Sequence, residues 1–393
     1  MFSQVNMMFD IHEESGRYAE EIKALRRKIH RYPELGNNEW HTAALIEKYL
    51  NKHGISTERY LDTAVVGRLY GAKNGKTVAV RADMDALPVT ETAVSDFRSE
   101  ITGVMHACGH DVHTAALLGA AAILADHRDE IGGNVVFIFQ PDEEGRGGAL
   151  RLINEGVLND VDAITGAHVS PDIPEGHIGI RYRKFYSASD MFTVKVTGKS
   201  SHGAMREKGI DALGAAAGMV TELLALPSKV TQERCVLTVG RMESGTAGNI
   251  MPGYAEFEGI IRSLGEDTRK AMEEGFREAV SAAAERTGTT AEIIYSHSYP
   301  GIVNDIEMTA MSERAAEEFA GREKVHIISE PVMMTEDFGY YQQIVPGTFF
   351  HIGAGCELPL HNSRFLPSEG VACVLAGMHV ELVMTFLSDI IQM

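Results

Sequence analysis

NVVFIFQ, residues 134–140, runs without a break into Pro141-Asp142-Glu143-Glu144-Gly145. A short apolar run with no polar alternation reads as a strand buried on both faces, as in a parallel sheet. The neighbouring segments fit that reading. TVAVR (residues 77–81) is a β-branched strand ending at Asp83-Met84-Asp85, and residues 162–167 form another short strand. Between these strands, residues 111–125 make an apolar, small-residue helix, and residues 150–155 a shorter one. Two amphipathic helices precede them: residues 13–30, ended before Pro33, and residues 39–53, stopped by Gly54. Strands alternating with helices predict an α/β layer structure.

The texture changes near Tyr186. MFTVKVT (residues 191–197) alternates like a half-buried antiparallel strand. A helix over 210–226, strands over 235–242 and 255–262, a helix over 266–286 and a strand over 291–296 complete a β-α-β-β-α-β order, the ferredoxin-like plan. After Pro300 the α/β pattern resumes with a helix over 308–319, a strand over 348–352 and a helix over 369–386. The expected architecture is a main α/β domain with a central, mostly parallel sheet, built from residues 1–186 and 298–393. It carries an inserted ferredoxin-like domain over residues 187–297.

Composition narrows the function classes. Lys plus Arg number 36 against 55 Asp plus Glu, a net charge of −19, which argues against nucleic-acid binding through phosphates. The longest unbroken apolar run, residues 115–125, is shorter than the about 20 residues a bilayer span needs. The N-terminus, MFSQVNMMFDIHEES, lacks a basic segment followed by an apolar one, so no signal peptide and no membrane association are expected. Cys108, Cys235, Cys356 and Cys373 are too dispersed for a disulfide framework. These features predict a soluble protein of the reducing cytoplasm.

Chemistry is expected where the strands end, because open α/β sheets bind ligands outside the carboxyl ends of their strands. Asp83 and Asp85 follow one strand, Glu143 and Glu144 a second, His168 a third, and His361 lies beyond a fourth. A further segment, MHACGHDVH (residues 105–113), leads into a helix with Cys108 and His110, and with His106 and His113 as additional imidazoles. Thiolate, imidazole and carboxylate together are a transition-metal donor set, and their number suits two ions rather than one. Of two adjacent glutamates, one can bind metal while the other takes a proton from the attacking water.

RADMDALP (81–88), MHACGHDVHTAALLG (105–119), FQPDEEGRGGA (139–149), GKSSHGA (198–204), AGNIMP (247–252), MTEDF (334–338) and PLHNSRF (359–365) follow one another along the chain, after LRRKIHRYPELG (25–36). This ordered set resembles the M20 metallopeptidase superfamily over nearly the whole chain. The HACGHD form resembles its amidohydrolase subgroup of aminoacylases, hippurate hydrolases and auxin-conjugate hydrolases. The resemblance implies Cys108, His110, Glu144, His168 and His361 as metal ligands, Glu143 as general base and Asp85 as an acid supporting the metal site. It implies that His202 polarises the scissile carbonyl and that Asn249 holds substrate. Arg262 is a candidate partner for a substrate carboxylate, since a guanidinium forks onto that group. His106 and His113 are expected to be hydrogen-bonding residues rather than ligands. The chain departs from other branches at Asp83-Met84-Asp85, where they have His-x-Asp, and from much of the subgroup at Ala204-Met205-Arg206-Glu207. Whether Cys108 or His110 bridges the ions stays open.

The implied activity is metal-dependent hydrolysis of the amide of an N-acyl amino acid or related conjugate. Its cofactors would be two divalent ions (zinc, manganese, cobalt or nickel). The implied assembly is a homodimer through the inserted lid domain. The alternatives are a dipeptidase or carboxypeptidase on the same scaffold, or a metal-binding homologue without activity.

Overall fold

The computed structural model describes residues 9–389; the first part of the stretch read for a signal peptide, residues 1–8, lies outside it. The chain divides into two compact units. One comprises the residues up to Arg183, Asn304–Ser329 and those from Asp337 onward; the other comprises Lys184–Val303 and Glu330–Glu336.

The first unit is built on an eight-stranded sheet. Its order is Ser56–Tyr60, Ala64–Tyr70, Asn134–Gln140, Thr77–Asp83, Ala163–Ser170, Gly347–Gly353, Ile178–Ile180, Val325–Ile327. The central strands Asn134–Gln140, Thr77–Asp83, Ala163–Ser170 and Gly347–Gly353 are mutually parallel, as predicted. Val135 to Phe139 are all but inaccessible, as expected for a strand covered on both faces. Several strands were not read from sequence, among them Val325–Ile327 at one edge. Ser56–Tyr60 and Ala64–Tyr70 form an antiparallel hairpin added to the sheet, and Ile178–Ile180 pairs antiparallel with Gly347–Gly353. The strand expected over 162–167 continues to Ser170, so His168 lies within it, opposite His351. The extension follows from pairing, because Gly347–Gly353 matches it residue for residue from Ile164 to Ser170.

Helices Ile11–Arg31, His110–Asp126 and Gly370–Asp389 pack together in the main core. Gly370–Asp389 holds the one helical span long and apolar enough to cross a bilayer among the described residues, and it is mostly buried in the fold. The three helices converge on Gly119. A Cβ there would lie 2.5 Å from Ile22 Cδ1 and 3.3 Å from Ala376 Cβ. The small residues of His110–Asp126 are thus what permits the close approach.

The second unit has a four-stranded antiparallel sheet in the order Cys235–Ser244, Tyr254–Ser263, Ala188–Thr197, Thr290–His297. Helices Ala212–Leu224 and Glu266–Thr287 share its apolar core through residues such as Met219, Phe276, Val194 and Phe257. The element order is β-α-β-β-α-β, as the alternating pattern implied.

Gly119→Val should lower the unfolding free energy of the first unit by about 1–3 kcal/mol, read as a lower urea midpoint with little change in slope, because overpacking forces neighbours off their rotamers. An unchanged midpoint would mean the three helices can spread to admit the side chain.

Candidate metal centre

Two turns bring the donor residues together. Gly109 adopts φ +86° between Cys108 and His110, and a Cβ there would sit 2.5 Å from Val169 Cγ2. Only glycine accepts both that conformation and that approach, and it lets His110 start the next helix. After Asn134–Gln140, Asp142 takes φ +58°, a left-handed conformation uncommon outside glycine. Its N–H donates to Glu39 Oε1 (3.0 Å), and its carboxylate accepts from Asn37 Nδ2 (2.6 Å). This clamp sets the direction in which Glu143 and Glu144 leave the strand. Burial, and then Asp85, raise the Glu39 carboxyl to about 7.

The structure brings Cys108, His110, Glu143, Glu144, His168 and His361 into overlapping groups that could hold a metal ion. Cys108 Sγ is 3.3 Å from His168 Nε2. His168 Nδ1 lies 2.7 Å from the Val169 carbonyl; donating there places the lone pair on Nε2, toward the sulfur. Burial, then His113 and His110, keep this imidazole neutral by holding its pKa well below the usual value. His361 Nε2 is 2.9 Å from Glu144 Oε1, and the His361 N–H donates to the Ala107 carbonyl at 2.8 Å. Asp85 supports both sides of the cluster. Its Oδ2 accepts the Glu144 N–H at 3.0 Å, and its backbone carbonyl is 2.9 Å from His110 Nδ1.

The donor set fits a divalent cation. His110 Nε2 is buried with no hydrogen-bond partner among the described residues, and Asp83 Oδ2 lies 3.6 Å from it. Burial works against charge on His110, but Asp83, Asp85 and Glu144 outweigh it and raise its pKa to about 10. The acids therefore draw positive charge to this position, and a metal ion meets that demand as a proton does. Burial, then Glu144 and Glu143, push the Cys108 thiol well above its usual range. Ligation by Cys108 accordingly requires proton release.

His113 is tied into a hydrogen-bond chain. Its Nδ1 lies 2.6 Å from Asp83 Oδ1, and its Nε2 accepts the Val169 N–H at 3.0 Å. With Nε2 committed as an acceptor, no lone pair is left for a metal. His106 differs from the expectation: neither ring nitrogen has a hydrogen-bond partner among the described residues, and burial lowers its pKa to about 3.

Sequence reading did not find the network beneath the donors. Buried Arg81 donates through Nε to Gln140 Oε1 (2.9 Å), through Nη1 to Asp83 Oδ2 (2.8 Å) and through Nη2 to Asp337 Oδ1 (2.8 Å). Asp337 also accepts from Gln140 Nε2 and from the Ala149 N–H. The available signal was an arginine at the end of an apolar strand and the acid in MTEDF. Arg26 and His30 meet Asp111, the residue after His110, at 3.0 Å each, and His30 Nε2 is 3.3 Å from Glu91.

The remaining candidates lie in the second unit. His202 pairs with Ile250 across a two-residue ladder, and its Nδ1 accepts the Ala204 N–H at 3.2 Å. Asn249 is exposed, and its carbonyl accepts the Gly203 N–H at 2.8 Å. Arg262, in Tyr254–Ser263, has its Nη1 buried without a hydrogen-bond partner among the described residues.

The chain is similar to known proteins over most of its length. The model of peptidase family M20/M25/M40 matches residues 79–382. Thermostable carboxypeptidase 1 of Saccharolobus solfataricus is 38% identical over 93% of this chain and 95% of its own length. N-acetylcysteine deacetylase of Bacillus subtilis is 34% identical over 93% of this chain and 97% of its own. The crystal structure of the Bacillus subtilis YXEP protein, a dinuclear metal binding peptidase from the M20 family, superposes with a TM-score of 0.87. It is 31% identical, covering 95% of this chain and 99% of the other.

Burial opposes charge on His30, but Asp111 and Glu91 outweigh it and raise its pKa to about 9. Between the ordinary value of about 6.5 and the folded value, the native state binds the extra proton, so stability falls as pH rises through this window. Unfolding midpoints should drop from pH 6.5 to 9, and His30→Asn should flatten that part of the profile. An identical slope in the variant would assign the titration elsewhere.

Proposed function

The chain belongs to peptidase family M20/M25/M40, and we propose that Glu143 is its general base in hydrolysing the amide of N-acyl amino acids. It is a metal-dependent hydrolase. The observation that carries the reading is the buried Glu143 carboxylate within reach of His110 and Glu144, inside a cluster of thiol, imidazole and carboxylate donors.

Cys108, His110, Glu144, His168 and His361 would hold two divalent ions, with a thiolate that favours zinc and a mixed set that also admits manganese, cobalt or nickel. When bound, such ions make water a better nucleophile and polarise the carbonyl. Glu143 takes the proton of the attacking water and returns it to the departing nitrogen. Asp85 keeps His110 and the Glu144 backbone in place, as its hydrogen bonds support. His202 supplies a donor to the carbonyl oxygen. Its Nδ1 already accepts a backbone N–H, which leaves Nε2 to carry the proton of a neutral ring. Arg262 receives the substrate carboxylate and Asn249 its polar backbone, a role supported for Arg262 by its unpaired buried Nη1. The inserted domain, residues 187–297, acts as lid and dimer contact in a cytoplasmic homodimer. The substrate class is supported by the deacetylase relative.

The carboxypeptidase relative supports a second reading, cleavage of a C-terminal peptide bond on the same scaffold. N-acetyl and N-benzoyl amino acids should be hydrolysed faster than dipeptides; the reverse order would favour the second reading. Chelation should abolish turnover, and added divalent metal should restore it. Glu143→Gln should lose on the order of 10²-fold or more in kcat with metal retained, whereas Glu144→Gln should lower metal occupancy. The opposite behaviour of the two variants would exchange their roles.

A further inference from the structure

A cavity of about 680 Å³ lies in the first unit against helices Ile11–Arg31 and Trp40–Lys52. Its volume is in the range of small-molecule sites. Ile29, Pro33, Leu45 and Ile101 provide apolar walls, and none of its lining residues belongs to the metal-donor set. Two cations stand at it, Lys28 from one helix and Lys48 from the other. Both are exposed, and neither has an ion pair or hydrogen bond among the described residues. In a chain of net charge −19, two unpaired lysines on one apolar cavity need an explanation.

The lining carries one carboxylate, Glu34, and it is already engaged. Oε1 accepts the His41 N–H (3.0 Å) and faces His41 Nδ1 (2.7 Å), while Oε2 accepts the Thr42 N–H (2.9 Å) and Oγ1 (3.0 Å). Glu34 thus satisfies the free donors at the start of Trp40–Lys52 and does not reach either lysine within ion-pair distance. An apolar body with one negative head would complement these walls and these two cations.

We propose that this cavity binds a small organic monocarboxylate, with its apolar chain against Ile29, Leu45 and Ile101 and its carboxylate between Lys28 and Lys48. Acids of this kind are also released when N-acyl amino acids are hydrolysed, but the site is argued from its own lining and stands apart from that reading.

The chain's single tryptophan, Trp40, is the natural reporter. It begins the helix that lines the cavity, adjoins His41 and is 49% exposed. Titrating the metal-loaded protein with octanoate should produce a saturable change in Trp40 fluorescence. Lys28→Ala/Lys48→Ala should weaken binding about five- to tenfold, as expected for two exposed ion pairs, with turnover unchanged. Octan-1-ol should bind the wild type no better than octanoate binds the double variant. Ala44→Phe, which fills the cavity, should remove the response while the melting temperature is retained. No saturable change in the wild type would overturn the proposal. So would a response equal for octan-1-ol, or one indifferent to the lysine substitutions, as octanoate bound only at the metal centre would produce.

Discussion

The Arg81 guanidinium holds the rim of the sheet together. It is buried at the end of a central strand and joins that strand's Asp83 to Gln140 of its neighbour and to Asp337, 256 residues further along the chain. A buried charge is tolerated only when paired and hydrogen-bonded, and leaving one partner alone is strongly destabilising. Arg81 and its acids therefore form a single unit. The same Asp83 carboxylate faces His113 and His110, so the register of two strands is transmitted directly to the donor residues. Burial opposes its charge, yet His110, His113 and Arg81 hold its pKa well below the ordinary carboxylate range.

The chemistry follows from this concentration of charge. Acids packed around a buried imidazole raise its affinity for a proton, and the same field favours a divalent cation. Cys108, whose thiol is held protonated by burial, and neutral His168 adjoin His110, and ligation by Cys108 would displace the thiol proton. Such a site links metal affinity to pH and to the integrity of the fold.

The parts legible in the sequence are those whose signal is local. Asn134–Gln140 is read to the residue, because a continuous apolar run ending at proline has few other interpretations. The apolar helix beginning at His110 follows from its run of small apolar residues, and the β-α-β-β-α-β order of the second unit from local periodicity. Ser56–Tyr60 escapes because its polar sequence lies at a sheet edge, with one flank open to solvent. His168 is placed one element too late because pairing with Gly347–Gly353, not its own sequence, prolongs its strand. Arg81 and the acid of MTEDF each stand out locally, but nothing near either residue says that the two meet across 256 positions. For the site, Glu143, Glu144, His168 and His361 were legible from strand ends, and Cys108 and His110 from the segment that leads into the apolar helix. The commitment of His113 to Asp83 and Val169 required coordinates.

The central claim is that this fold gathers a two-ion site with one thiolate among its ligands. Elemental analysis joined to X-ray absorption at the metal edge tests it most directly. The account predicts two ions per folded chain and a sulfur scatterer at about 2.3 Å if the metal is zinc, lost in Cys108→Ser. A fully active chain with fewer than one ion, or a coordination shell of nitrogen and oxygen alone in the wild-type protein, would contradict it.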